Sequence, residues 1–232
     1  MKNILLDLDG TLTDSSEGIT KSLQYALEKL GRPVPVSEDM LCCIGPPLLY
    51  SFLEHFQVQP KSLAEQAVGF YRERYNRQGQ FENRVYQGIP ETLDILQARG
   101  FSLYLATAKP EVQARSILDH FKLSPYFTEI YGSGLNGAFS DKGELINHIL
   151  RQEDLSVNDT VMVGDRKYDM IGAGKCAVRK IGVTYGFGTH EELSEAGADY
   201  IIDSPEDLTS LLGVPGGLAE HRGVSPAIIS MG

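Results

Sequence analysis

Two carboxylates stand at the end of an apolar run, in Asn3-Ile4-Leu5-Leu6-Asp7-Leu8-Asp9-Gly10-Thr11. In an extended chain residues i and i+2 project to the same side, so Asp7 and Asp9 address one space. One can attack an electrophile while the other handles protons. Gly10 leaves room for close backbone approach. Further reactive groups follow apolar runs in the same way. Thr107 follows Leu103-Tyr104-Leu105-Ala106, and Asp165 follows Val161-Met162-Val163-Gly164, with Asp169 about one helical turn beyond. Lys142 opens a helical pattern between them. Closely packed carboxylates raise one another's pKa values, so Asp7, Asp9, Asp165 and Asp169 together require a cation. The donors are oxygen without sulfur, which fits a hard ion, Mg²⁺ above all.

The elements that must position these groups are short apolar strands alternating with amphipathic helices. Strands are expected near 3–8, 101–106, 129–131, 160–163, 180–183 and 200–202. Helices are expected over 17–30, 90–99, 111–121, 142–151, 170–176, 191–196 and 205–212, the first capped by Ser15 or Ser16. This alternation implies βαβ units and a parallel sheet covered on both faces. Ligand sites in such sheets lie outside the carboxyl ends of the strands, where Asp7, Asp9, Thr107 and Asp165 all fall. From about 14 to 85 the pattern stays helical. Leu48, Leu49, Phe52, Leu53 and Phe56 form one stripe there, and Leu63, Ala67, Phe70, Tyr71 and Tyr75 another. The fold class is therefore α/β: a core of 1–13 and 86–212, a helical insert over 14–85, and a tail over 213–232.

Asp7-Leu8-Asp9-Gly10-Thr11-Leu12-Thr13-Asp14 resembles the first motif of the haloacid dehalogenase-like superfamily. Thr107, Lys142 and Gly164-Asp165-Arg166-Lys167-Tyr168-Asp169 agree with its later motifs in order and context. The resemblance covers roughly residues 1 to 212. It implies a Rossmann-like parallel core, and the insert looks like that superfamily's type I helical cap. Ile44-Gly45-Pro46-Pro47-Leu48 and Thr107-Ala108-Lys109-Pro110 resemble the phosphoglycolate phosphatase-like branch. By that resemblance Asp7 is the nucleophile and forms an aspartyl-phosphate, and Asp9 protonates the leaving group and then activates water. Thr107 and Lys142 hold the phosphoryl group, with Lys142 also restraining Asp7. Asp165 ligands Mg²⁺ with Asp7 and the Asp9 carbonyl, while Asp169 ligands it through water or orients Lys142. Gly10, Thr11, Ala108, Lys109, Gly45 and Arg166 are the candidate substrate contacts. Two positions depart from the pattern: Gly143 follows Lys142 where prolines are frequent in this branch, and Arg166 follows Asp165 where a small residue is frequent.

Composition narrows the functional classes. Hydrophobic residues make up 42% and charged residues 22%, which excludes a mostly disordered chain. The sum of 21 basic and 31 acidic residues is −10, which argues against nucleic acid or an anionic membrane as the main partner. No apolar run approaches the roughly 20 residues of a membrane helix. The N-terminus reaches Asp7 after three apolar residues and does not read as a signal peptide. With Cys42, Cys43 and Cys176 as the only cysteines, the expectation is a reduced cytoplasmic protein. No Cys-x-x-Cys occurs, Cys42 and Cys43 read as inert fillers, and the five histidines show no ligand spacing. Gly132-Ser133-Gly134-Leu135-Asn136-Gly137 matches Gly-x-Gly-x-x-Gly, but Phe139-Ser140-Asp141 delays the next helix, so it reads as a loop rather than a dinucleotide site. Tyr185-Gly186-Phe187-Gly188 reads as a packed loop at the reactive sheet edge.

The expected activity is Mg²⁺-dependent hydrolysis of a small phosphorylated metabolite by a monomer or homodimer. Phosphoglycolate is the first family candidate, with a nucleoside monophosphate or sugar phosphate close behind. A phosphomutase would need a second acid–base residue in the cap, and a hydrolytic dehalogenase would not need Asp9. A non-catalytic binding protein could dispense with both Asp7 and Asp9.

Overall fold

The structure is a computed structural model and describes residues 1–213. Along the chain lie β1 (Asn3–Leu6), β2 (Thr13–Asp14), α1 (Ser16–Lys29), a 3₁₀ helix (Ser37–Cys43), α2 (Leu48–Tyr50), a π turn (Ser51–His55) and α3 (Lys61–Arg77). After β3 (Arg84–Val85) come α4 (Ile89–Ala98), β4 (Ser102–Pro110), α5 (Glu111–His120), β5 (Glu129–Ser133), α6 (Lys142–Gln152) and β6 (Thr160–Gly164). The described residues end with α7 (Lys167–Lys175), β7 (Arg179–Val183), α8 (His190–Glu195), β8 (Tyr200–Ile202) and α9 (Pro205–Gly213). Most of the expected tail, 214–232, lies outside the described residues.

The chain divides into two compact units, Thr13–Arg84 and the remainder. In the larger unit six parallel strands run in the order β5-β4-β1-β6-β7-β8. The central strands β1 and β6, and β4 over Leu103–Ala106, are apolar on both faces because both faces are covered. Alternation sends Ile4 and Leu6 to one side, where Leu103, Leu105, Val161, Val163, Ile181 and Val183 join Leu93 of α4, Ile117 of α5 and Leu208 of α9. Leu5, Tyr104, Ala106 and Met162 face the other side and pack with Leu145, Ile146 and Ile149 of α6 and Ala173 of α7. Burial of each such aliphatic side chain contributes about 1.5–3 kcal/mol. A single strand thus binds two layers of helices, and β1, in the middle, is fixed from both sides.

The inserted unit is built on α1 packed against α3. Leu23, Ala26 and Leu27 are buried on α1, as are Ala64, Ala67, Tyr71 and Tyr75 on α3, the last two stacked at 5.3 Å between ring centroids. Arg74 makes a bidentate pair with Glu82, at 2.7 and 3.0 Å. The helix start is held by Asp14, whose Oδ1 accepts from the Ser16 N–H at 3.1 Å; Ser15 makes no side-chain cap bond. The expectation of helix throughout the insert is corrected in two places. Residues 37–55 form a 3₁₀ helix, one short α turn and a π turn, since Gly45, Pro46 and Pro47 interrupt regular hydrogen bonding. Short strands β2 and β3 also pair with each other where the chain enters and leaves the insert.

Candidate active site

Chain connections run from β1 to β4 and β5 on one side, then cross to β6, β7 and β8 on the other. The carboxyl end of β1 is therefore flanked by strands whose connections leave in opposite directions, the place where open parallel sheets form ligand sites. Asp7 follows β1, and its N–H continues the ladder by donating to the Val163 carbonyl at 3.0 Å. Asp165 follows β6, and Thr107 to Lys109 lie on β4, which runs on to Pro110 rather than stopping at Ala106.

Lys142 ties these strand ends together. Its Nζ lies 3.0 Å from Asp7 Oδ1 and 2.7 Å from Asp169 Oδ1, and donates to the Ala106 carbonyl at 2.8 Å. Its side chain is 4% exposed. Burial alone would depress the lysine pKa, but the Asp169 and Asp7 carboxylates outweigh it and hold the ammonium above the ordinary lysine value. Two local features deliver it. Asp141 caps α6, its Oδ1 accepting from the Glu144 N–H at 3.0 Å. Gly172 on α7 leaves space for α6: a Cβ there would come within 2.8 Å of Lys142 Cβ and 2.9 Å of the Gly143 nitrogen. The Lys142-Gly143 departure noted in the sequence thus sits where two helices approach closely.

Asp7, Asp165 and Asp169 each offer an oxygen, all within 4.8 Å of one another. Burial pushes the Asp165 carboxyl well above the ordinary value, helped by the charges of Asp169 and Asp7, against the opposing Phe187 N–H. Asp169 is pushed up to about 6, chiefly by burial, with Lys142 opposing. Asp165 Oδ2 accepts from the Phe187 N–H at 2.8 Å, while its buried Oδ1 has no hydrogen-bond partner among the described residues. A buried, orphaned carboxylate oxygen among oxygen donors fits a hard divalent cation held by these three side chains. Gly10 has φ +83°, and a Cβ there would overlap the Asp165 carboxylate. Asp9 turns its side chain elsewhere: Oδ2 lies 2.7 Å from Lys109 Nζ, so its carboxylate is outside the three-oxygen group.

Thr107 is buried, and its Oγ1 accepts from the Lys109 N–H at 3.3 Å. Ala108 lies between them, half-buried, on the end of β4. Thr11 is buried, with its carbonyl accepting from the Tyr185 hydroxyl at 3.2 Å. Arg166 is buried, and its Nε donates to Glu192 Oε1 at 2.9 Å; the same oxygen accepts from the Lys167 N–H at 2.9 Å. The Arg166 N–H donates to Asp169 Oδ2 at 3.1 Å. Glu192 is a support that the sequence does not signal, while the Phe187 N–H comes from the loop expected at the reactive sheet edge. Gly45 belongs to the inserted unit, at φ +104° in an exposed bend. The glycine-rich 132–137 segment opens no helix, since α6 begins only at Lys142. In the inserted unit Cys42, Cys43 and His55 bring sulfur and nitrogen atoms within 4.8 Å of one another, a grouping absent from the sequence expectations. No helix of the described residues is long and apolar enough to cross a membrane.

A family model described as haloacid dehalogenase-like hydrolase matches residues 4–183. The chain is 49% identical over 191 residues to a 5'-nucleotidase of Pseudomonas aeruginosa, covering 82% of this chain and 86% of that protein. It is 33% identical over 216 residues to tyrosine-protein kinase PtkA of Mycobacterium bovis, covering 91% and 72%. The crystal structure of a predicted phosphatase from Clostridium acetobutylicum superposes with a TM-score of 0.87 at 44% identity, covering 92% of this chain and 99% of that one.

Proposed function

The chain belongs to the haloacid dehalogenase-like hydrolases and is a phosphatase of that family, and from that premise we propose that it hydrolyses a small phosphomonoester through an aspartyl-phosphate on Asp7. The observation that carries the reading is the Lys142 ammonium lodged between Asp7 and Asp169 at the strand ends, with Asp165 alongside. Phosphoryl transfer demands positioning and neutralisation of negative charge more than covalent chemistry from the protein. A carboxylate fixed by a buried lysine at a strand end meets the first demand.

In this reading an Asp7 oxygen attacks phosphorus as the ester P–O bond breaks, and Asp9 gives its proton to the leaving oxygen. Water then attacks the acyl-phosphate, Asp9 takes the water's proton, and orthophosphate leaves with Asp7 regenerated. Lys109, paired with Asp9, sets where that carboxylate stands between the two proton transfers. Thr107 and Lys142 receive the phosphoryl oxygens. Asp7, Asp165 and the Asp9 carbonyl would hold Mg²⁺, with Asp169 completing the group through water or orienting Lys142, and the ion would supply charge neutralisation for the transferring group.

The substrate is a small phosphorylated metabolite, and a nucleoside 5'-monophosphate leads. Support comes from the 49% identity to a protein named 5'-nucleotidase. Phosphoglycolate, the first candidate of the sequence reading, stands second. The test is a panel of nucleoside monophosphates, phosphoglycolate, sugar phosphates and pyrophosphate, with Mg²⁺ and with a chelator. Orthophosphate release should require Mg²⁺, favour one class, and disappear in Asp7→Asn. Release that survives Asp7→Asn or chelation overturns the mechanism. Transfer of phosphate from ATP to tyrosine, without hydrolysis, would replace it with a kinase.

A further inference from the structure

Two irregular helices of the inserted unit end on the same three side chains. The 3₁₀ helix Ser37–Cys43 closes with Cys42 and Cys43. Its seven residues exceed the usual three or four of such helices. The π turn Ser51–His55, with the Phe56 N–H donating to the Ser51 carbonyl at 3.1 Å, closes with His55. The extra residue of a π turn re-aims the side chains around it, and such turns recur at functional positions. Here the result is that Cys42 Sγ lies 3.6 Å from His55 Nδ1 and 3.8 Å from Nε2. Cys43 Sγ is the third donor of the group.

We propose that Cys42, Cys43 and His55 form a binding site for a borderline thiophilic cation, Zn²⁺. The donor set selects the ion: two sulfurs and an imidazole suit Zn²⁺ and repel Mg²⁺ and Ca²⁺, which take oxygen. The three donor atoms lie within 4.8 Å of one another, and a turn of the exposed His55 ring brings one nitrogen lone pair onto an ion held by the sulfurs. Tetrahedral Zn²⁺ with ordinary Zn–S and Zn–N bonds puts sulfur and nitrogen about 3.6 Å apart, and two sulfurs about 3.8 Å apart. A thiol–imidazole hydrogen bond alone would also give the first distance, but it does not call for a second sulfur within 4.8 Å of both partners. Burial divides the labour. Cys43 is 6% exposed and anchors the site from below, while Cys42 and His55 are exposed and leave an entry path. Binding deprotonates both thiols, so each Zn²⁺ taken up releases two protons to the buffer, and the fourth position falls to water. The proposal does not depend on the phosphatase chemistry.

The test uses the full chain, reduced and stripped by a chelator, in saturating Mg²⁺ so that the carboxylate group is not the reporter. Titration with Co²⁺ should produce a thiolate-to-cobalt charge-transfer band at a stoichiometry of about one ion, and Zn²⁺ should abolish it. Cys42→Ser and His55→Ala, both at exposed positions, should each weaken Zn²⁺ binding by at least about tenfold, since even partners outside the ligand shell cost that much. Cys176→Ser should change nothing. In the unmutated protein Zn²⁺ should also shield Cys42 from alkylation, read by mass spectrometry, which requires no variant to fold. A missing charge-transfer band overturns the site. So does a band that persists in Cys42→Ser, or alkylation of Cys42 at the same rate with and without Zn²⁺.

Discussion

The ammonium of Lys142, 4% exposed, touches two carboxylates and a main-chain carbonyl, and its removal leaves negative charge buried without a partner. Breaking a buried ion pair from one side costs about 3–5 kcal/mol. Lys142→Met should therefore lower stability by that order in urea unfolding and reduce kcat by at least about 10²-fold, the usual cost of losing one electrostatic contact to a transferring group. A variant of normal stability would mean that water already screens Asp7 and Asp169. Asp165→Asn should do the opposite to the metal-free fold. Its carboxyl is raised well above the ordinary value, first by burial and then by Asp169 and Asp7, so the charged form is the costly one. The amide removes that charge and keeps an oxygen for the Phe187 N–H. The metal-free variant should melt above the wild type, and Mg²⁺, which should raise the wild-type Tm, should no longer raise it; differential scanning fluorimetry reads both. The convergence of Asp7, Asp165, Asp169 and Lys142 was legible in the sequence because each follows an apolar run or opens a helix, and strand ends in a parallel sheet share an edge. The Tyr185–Gly188 loop was legible at that edge, but the hydrogen bond from the Phe187 N–H to Asp165 was not, because a main-chain N–H carries no residue signature. Glu192 was not either, since its partner at Arg166 is 26 positions away.

At the scale of elements, the start of α6 decides where Lys142 points, and Asp141 decides where α6 starts. Its carboxylate accepts from the Glu144 N–H at 3.0 Å and pairs with Lys175 at 2.9 Å. Asp141→Ala should cost about 1 kcal/mol for the cap, the exposed pair adding little. It should also lower kcat through the displaced lysine. The hydrogen bond from Lys175, then that from the Glu144 N–H, hold the Asp141 carboxyl below its ordinary 3.8. A carboxyl depressed in the fold contributes stability above its unfolded pKa and loses it as pH falls through the folded one. The gap between wild type and Asp141→Ala should therefore be constant near neutrality and shrink below pH 3.8; a gap that persists there would mean the cap acts without its charge. The strands of the sheet were legible because burial on both faces leaves an uninterrupted apolar run. The end of β4 was not, because Thr107 to Pro110 is polar and its pairing with β5 shifts register between Ala106 and Pro110. The insert was read as helix from stripes of apolar residues, and α3 follows that pattern. The Leu48–Phe56 stripe falls instead on the short α2 and the π turn Ser51–His55, whose side-chain projection differs little from a regular α-helix over so few residues.

Across the whole molecule, the insert interrupts the sheet unit directly after its first strand, yet each unit has buried side chains of its own. Leu5, Leu105 and Val163 belong to the sheet, whereas Phe52, Tyr75 and Leu23 belong to the insert. Cooperative opening follows contiguous packing rather than chain connectivity. Phe52→Ala empties a fully buried position, next to Phe56 at 5.7 Å between rings, and should cost about 3–5 kcal/mol locally. Hydrogen exchange read by mass spectrometry should then accelerate in peptides from 13–84 while β1, β4 and β6 keep their protection. Leu105→Ala should do the reverse, exposing the strands that hold Asp7, Thr107 and Asp165. The two variants also separate stability from chemistry. If the sheet unit opens independently, Phe52→Ala should leave Mg²⁺ protection of the β1 and β6 peptides intact, because Asp7 and Asp165 are carried by strands that the substitution does not loosen. Equal acceleration in both units by Phe52→Ala would show one cooperative block. The strand ends that carry the carboxylates would then depend on the insert for their order as well as on the sheet.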